Sequence, residues 1–320
     1  MKIHKLCMVL GSVLLLVACG GGGGGGTSST LSYSGSTAQA TVTSANADDL
    51  VLDAYQNGAI GGAAAGSMTG VTPERGAGTP RGLVLAESLG NALERMDIAS
   101  QAPLNSAMKT ATDTAEGSCG GSMSYSVSYD DQNGDFSGTL SFSSFCEDEV
   151  KLSGDVDFSG TMNPGTGELS SFTMTTDGLT AEMCGDSFTA AGSIGVSRSG
   201  TTSTVTMDMK VRDGGTGKVY WAKDYQMTLT SGSTYSEVEV SGRFYHPDYG
   251  YVDISTTTKL RIQEGSYWPS SGVLVATGSR GTKAQVTALN ASYQLDVDDN
   301  GDGTYEYSES QAWSDWDSGC

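Results

Sequence analysis

The sequence predicts a mainly β protein. The expected architecture is one long antiparallel meander forming a curved or barrel-like sheet, preceded by a short helical segment; a two-sheet β-sandwich is the alternative. Three observations lead there. From Gly120 onward, apolar residues alternate with Ser, Thr and Asp at a period of two over roughly a dozen runs. The runs are separated by short turn clusters such as Asp131-Gln132-Asn133-Gly134. Glycine is frequent, 45 of 320 residues, but Pro numbers only 6, so Pro and Gly together stay below the level of low-complexity disorder. A meander of that length must curl or close to limit its exposed edges.

The N-terminus comes first in order. Lys2 and Lys5 precede an apolar run over residues 6–17, shorter than the roughly 20 residues that span a bilayer and suited to a secretory signal. The run ends Leu16-Val17-Ala18-Cys19. This resembles the lipobox of bacterial lipoproteins. The resemblance implies a signal peptide over residues 1–18, acylation (palmitate-type chains) at Cys19 and a membrane partner reached through that lipid. Gly20 follows the cysteine where an Asp would imply inner-membrane retention, so the implied location is the cell envelope, at the outer membrane. Loss of Lys2 and Lys5 takes the net charge from -20 to -22, so attachment would come from the acyl chains rather than from basic residues. The same acidity speaks against a nucleic-acid partner.

Residues 20–46 begin with seven glycines and continue in Ser, Thr, Gly and Ala, the composition of a flexible tether. Residues 47–118 read as a partly helical segment. Leu83, Ala86, Leu89, Leu93 and Met96 recur at helical spacing and predict a helix over residues 81–98; a second, weaker one is expected over 104–113. The Gly/Ala-rich residues 58–66 read as loop. Residues 119–320 form the expected β domain. Its alternation resembles that of uncharacterised proteobacterial β-rich lipoproteins with Gly/Ser/Thr-rich strands, a likeness that implies no activity.

The first hairpin can be registered from sequence. Setting Tyr129 opposite Phe136, Tyr125 opposite Leu140 and Met123 opposite Phe142 puts all six bulky residues on one face; a one-residue slip would move one strand's set to the polar face. The same register brings Cys119 to Cys146. With Cys7 in the signal and Cys19 acylated, Cys184 and Cys320 remain as a second pair; an exported chain meets an oxidising compartment, and no Cys-x-x-Cys spacing suggests zinc.

Two constellations carry candidate chemistry. Asp298, Asn300, Asp302, Thr304, Glu306 and Glu309 follow the spacing of a calcium loop, where hard oxygens alternate around a tight turn. The flanks alternate as strands, so the reading is calcium on an acidic β-hairpin loop, against a solvated acidic turn. The second is a ligand patch. If Leu229 pairs with Val238, Trp221 falls opposite His246 and Lys223 opposite Phe244, gathering Trp221, Lys223, Tyr225, His246, Asp248 and Tyr249 at one sheet end. Pro247, Asp248 and Gly250 read equally as a rigid turn. The two histidines, His4 and His246, leave little room for histidine-based catalysis. No nucleophile elbow sits between a strand and a helix, and no phosphate-binding glycine loop follows a strand. The functional expectation is a membrane-anchored, non-enzymatic envelope lipoprotein with a structural or binding role. One alternative is a carrier that shields a lipid or other apolar ligand behind Phe158, Phe172, Met174, Ile194, Met207 and Met209. Another is a secreted hydrolase working through paired carboxylates.

Overall fold

A computed structural model describes residues 31–69, 108–130, 132–147, 149–164, 169–183, 185–264, 266 and 268–313. The signal, Cys19, the glycine run, the helix expected over 81–98, Cys184 and Cys320 lie outside the described residues.

Fourteen antiparallel strands follow one another in strict sequence order as a single sheet that does not close. They are β1 (Met108–Glu116), β2 (Gly120–Asp130), β3 (Asp135–Glu147), β4 (Val150–Met162), β5 (Leu169–Met183), β6 (Asp186–Ser199) and β7 (Thr202–Asp213). Then come β8 (Val219–Ser231), β9 (Tyr235–His246), β10 (Gly250–Gln263), β11 (Pro269–Thr277), β12 (Lys283–Ala288), β13 (Ser292–Asp298) and β14 (Tyr307–Ala312). The predicted meander is therefore the fold. The predicted first register holds where Tyr129 pairs with Phe136, Tyr125 with Leu140 and Met123 with Phe142; beyond Ser122 a bulge shifts it by one residue, so Gly120 rather than Cys119 lies opposite Cys146. Cys119 and Cys146 are joined as a disulfide across that hairpin.

One face of the sheet is apolar throughout. Met123, Tyr125, Leu140, Phe145, Leu152, Val156, Ile194 and Met209 are buried in one continuous core, and Phe158 stacks on Phe172 at 6.2 Å. The other face carries exposed Ser124, Ser137, Thr139, Ser141, Asp155 and Asp157. A lipid-facing strand would show the reverse pattern. No described helix is long and apolar enough to cross a membrane.

Curvature comes from a band of irregularities crossing the sheet. Register shifts interrupt the β3–β4, β4–β5, β5–β6, β7–β8 and β8–β9 ladders, and positive-φ residues Ser144, Gly154, Gly192, Asp224, Gly242 and Gly272 lie along it. Extra residues and kinks of this kind raise the local twist and bend long strands, which lets a sheet this wide curl.

Into the concavity goes α1 (Ala47–Thr69), packed against β6 through β12. Its Leu50, Val51, Leu52 and Ala54 are buried. Asn46 ties the entry turn by accepting the Thr43 N–H at 2.8 Å, and Asp48 and Asp49 sit in the first turn, where the helix dipole favours negative charge. Residues 58–66, read from sequence as loop, belong to this helix. At Gly58 the helix passes close to β8: a Cβ there would lie 3.1 Å from the Tyr225 ring. The helix expected over 104–113 is corrected as well, since its described part is β1; the strands begin at Met108, ahead of the expected boundary at 119.

Part of the stretch expected as tether is ordered against the sheet. Residues 31–42 form a strap fixed to one rim of the sheet. Leu31 packs with Ala191 and Val219, and Tyr33 donates to the His246 carbonyl at 2.9 Å. Gln39 bridges to Tyr251, and Ala40 donates to the Tyr251 carbonyl at 2.8 Å before the chain turns into α1.

Candidate functional site

The predicted ligand patch divides between the two faces of the sheet. Leu229 does pair with Val238, but β8 carries one extra residue at Asp224. Beyond that bulge Trp221 lies opposite Tyr245, not His246, and Lys223 lies opposite Arg243, not Phe244. The physical cause is local. Asp224 takes a φ of 51°, Gly242 across from it takes 149°, and the Tyr225 ring packs onto the bare Gly242 Cα, where a Cβ would meet it at 2.6 Å. Tyr225 and His246 point inward, Trp221 and Lys223 outward, and Asp248 and Tyr249 occupy the β9–β10 turn.

The inward half clasps the first turns of α1. His246, 4% exposed, accepts the Asp248 N–H at Nδ1 (3.1 Å), so its neutral ring carries the proton on Nε2, which lies 3.5 Å from Asp53 Oδ2 on α1. Tyr249 stacks on the imidazole at 4.5 Å and Tyr220 meets it edge-on at 5.4 Å. Tyr249 also donates to Asp49 at 3.0 Å, Gln311 to Asp48 at 3.3 Å, and the Tyr225 hydroxyl to the Ala54 carbonyl at 3.3 Å. Lys218 pairs with Asp248 at 2.5 Å beside the turn.

Burial governs the electrostatics. It pushes the His246 pKa down to about 4, against smaller upward pulls from Asp248 and Asp49. It pushes Asp53 up to about 8, with Asp49 adding to the rise. Asp53 keeps 27% of its side-chain surface in solvent, and water there moderates the penalty. His246 and Asp53 thus face one another, 3.5 Å apart, at a helix–sheet contact. The pair joins α1 to the β9–β10 turn.

The outward half is a row of cross-strand neighbours: Lys210 on β7, Trp221 on β8, Tyr245 on β9 and Tyr251 on β10. Trp221 stacks on Tyr245 at 4.7 Å and donates from Nε1 to Asp208 at 2.6 Å. Lys210 and Lys223 place their ammonium groups 5.1 and 5.0 Å from the indole centre, at cation–π range. Arg243 lies 4.0 Å above Tyr251 and pairs with Asp253 at 2.8 Å. Tyr33 of the strap closes the row at 5.5 Å from Tyr245. Alternation missed Arg243, Tyr245 and Tyr251 as members; the signal was the bulge, hinted at by adjacent polar residues Lys223-Asp224 opposite a glycine.

The acidic loop is partly as expected. Asp298, Asp302 and Glu306 bring carboxylate oxygens within 4.8 Å of one another. Asp298, 1% exposed, spends its oxygens on the Gly301 and Gly303 N–H groups at 2.6 and 2.9 Å. Asn300 Oδ1 accepts the Asp302 N–H while its amide donates to Glu306. Thr304 donates its N–H to Asp302 and holds that carboxyl below its ordinary pKa. Glu309 does not join: it stands on β14 opposite Leu295 and accepts from Tyr307. The loop is a self-bonded turn with three convergent carboxylates.

Comparison with protein families, with curated proteins and with solved structures finds no match to the chain.

Proposed function

We propose that the chain is a cell-envelope lipoprotein, held to the membrane by acyl chains on Cys19, whose β domain has a non-enzymatic binding or structural role. The observation that carries the reading is α1. A carrier needs open apolar volume behind its sheet, and here the concave side of β6–β12 takes up Leu50, Val51, Leu52 and Ala54. The polar clasp and the strap tie that helix to the rim, so the concavity serves the protein's own core. The hydrolase reading wants two free carboxylates flanking a cleft. Asp298, Asp302 and Glu306 instead brace their own turn, an arrangement that also suits a structural calcium ion.

Native mass spectrometry of the full chain from an envelope fraction, with and without chelator, tests this. The expected result is acyl mass on Cys19 and no non-covalent lipid. One chelator-sensitive calcium would add a structural ion at the 298–306 loop. A stoichiometric, non-covalently bound lipid would overturn the reading in favour of a carrier.

A further inference from the structure

Resting on the acyl anchor at Cys19, we infer that the outward face of β7–β9 around Trp221 docks onto the anionic headgroup surface of the membrane that holds the protein. The first argument is reach. Eleven residues, 20–30, separate Cys19 from Leu31. Fully extended they span at most about 40 Å, and at Gly/Ser-rich composition the r.m.s. reach is about 17–20 Å. The described chain then begins on this face: Leu31 packs with Ala191, the cross-strand neighbour of Lys210, and Tyr33 lies 6.0 Å from Trp221. The opposite rim lies about 40 Å away along strands of twelve to fifteen residues. An anchored domain therefore presents the Trp221 face to the bilayer more readily than its far end.

The second argument is chemistry. Trp and Tyr side chains favour the headgroup layer, and Lys and Arg are drawn to anionic lipid. On the outward face of β4 and β10, Lys151, Lys259 and Arg261 each face a carboxylate. Lys210 and Lys223 face the Trp221 indole instead and form no ion pair among the described residues. Asp208, exposed, accepts from Trp221, Asp253 pairs with Arg243, and Asp224 is exposed beside them, so Lys210, Lys223 and Arg243 share the face with three carboxylates. On a chain of net charge -20, this aromatic face thus offers two lysines that no carboxylate pairs among the described residues, free to meet lipid phosphates. The acidic 298–306 loop lies at β13–β14, five strands along from β8.

The test is lysine acetylation read by mass spectrometry on the full acylated chain in vesicles. One set contains phosphatidylcholine alone, the other phosphatidylcholine with 30% phosphatidylglycerol. The expected result is at least a fivefold slowing at Lys210 and Lys223, only with phosphatidylglycerol, while Lys151 and Lys259 react equally in both. Lys210→Gln should reduce the protection of Lys223, since the two ammonium groups share the surface; it touches no core residue. An acylated chain that floats with the vesicles but shows equal rates at all four lysines overturns the docking alone. So does protection independent of the anionic lipid. A chain without acyl mass that does not float overturns the anchor and the docking together.

Discussion

Strands β2–β7 and strands β8–β10 belong to one ladder but are specified differently. In β2–β7 the apolar residues hold one face and Ser, Thr and Asp the other, so alternation fixes the register of each segment between the bulges. In β8–β10 both faces carry large side chains: Tyr220, Ala222, Phe244 and His246 inward, Trp221, Tyr245 and Tyr251 outward. Alternation there gives two near-equivalent answers, and a single extra residue at Asp224 decides between them. The first region is held by a two-faced pattern, the second by backbone geometry. That is also where the strap, the helix clasp and the outward aromatic row converge.

The comparison is broken most severely from the regular side. Phe145 is fully buried in β3, and Phe145→Ala should cost about 3–5 kcal/mol through lost burial and a cavity, measured by urea unfolding. Replacing Cys119 and Cys146 together by Ser opens a loop with a sequence separation of 27 and should cost about 3–4 kcal/mol in the chain-entropy account. Both changes act on β2–β4 and should leave lysine reactivity on β7–β9 unaltered in the protein that remains folded.

On the irregular side the sharpest probe is Gly242. An Ala there must adopt a φ of 149° with its Cβ 2.6 Å from the Tyr225 ring, so about 2–3 kcal/mol of destabilisation is expected. Gly200 is the control. Its φ is 61° but a Cβ meets open space, so Gly200→Ala should cost about 1 kcal/mol. Equal costs at the two positions would mean that the Tyr225 contact does not pin the bulge.

Those positions also mark where the sequence stopped being readable. Alternation yields the meander and the β2–β3 register from Ser122 to Phe136, and it brings Cys119 close enough to Cys146 to anticipate their bond, though not the bulge that sets Gly120 opposite Cys146. It does not yield α1. The helix is glycine- and alanine-rich over residues 58–66, and it is stabilised by the sheet that encloses it rather than by its own propensity. The strap was hidden for the same reason: Leu31, Tyr33 and Gln39 bind a surface that exists only once β6–β10 have formed. The ligand patch named the right neighbourhood on β8–β9 but assigned it to one face, since a bulge leaves only a faint trace in composition. In the acidic loop the turn residues Asp298, Asn300 and Asp302 were legible from their spacing. Glu309 was not excluded until β14 placed it opposite Leu295.

The smallest expected effect isolates the clasp that joins the irregular region to α1. Asp53 has a folded pKa raised to about 8 from 3.8, so the stability it contributes is full below pH 3.8 and is lost as pH rises to 8. His246 has a folded pKa lowered to about 4 from 6.5, so its contribution is full above pH 6.5 and is lost as pH falls to 4. Between pH 4 and 6.5 the two slopes oppose one another. From 6.5 to 8 only Asp53 titrates, and stability should fall. The full shift over that interval corresponds to about 2 kcal/mol, and the solvent-exposed quarter of the Asp53 side chain reduces it to about 1 kcal/mol. Urea unfolding at pH 5, 6.5 and 8 measures it. Asp53→Asn should abolish the fall above pH 6.5 and uncover the His246 slope, with stability rising from pH 4 to 6.5. If the variant loses as much between 6.5 and 8 as the parent, Asp53 is not the group that titrates, and the proton resides elsewhere in the contact between α1 and the β9–β10 turn.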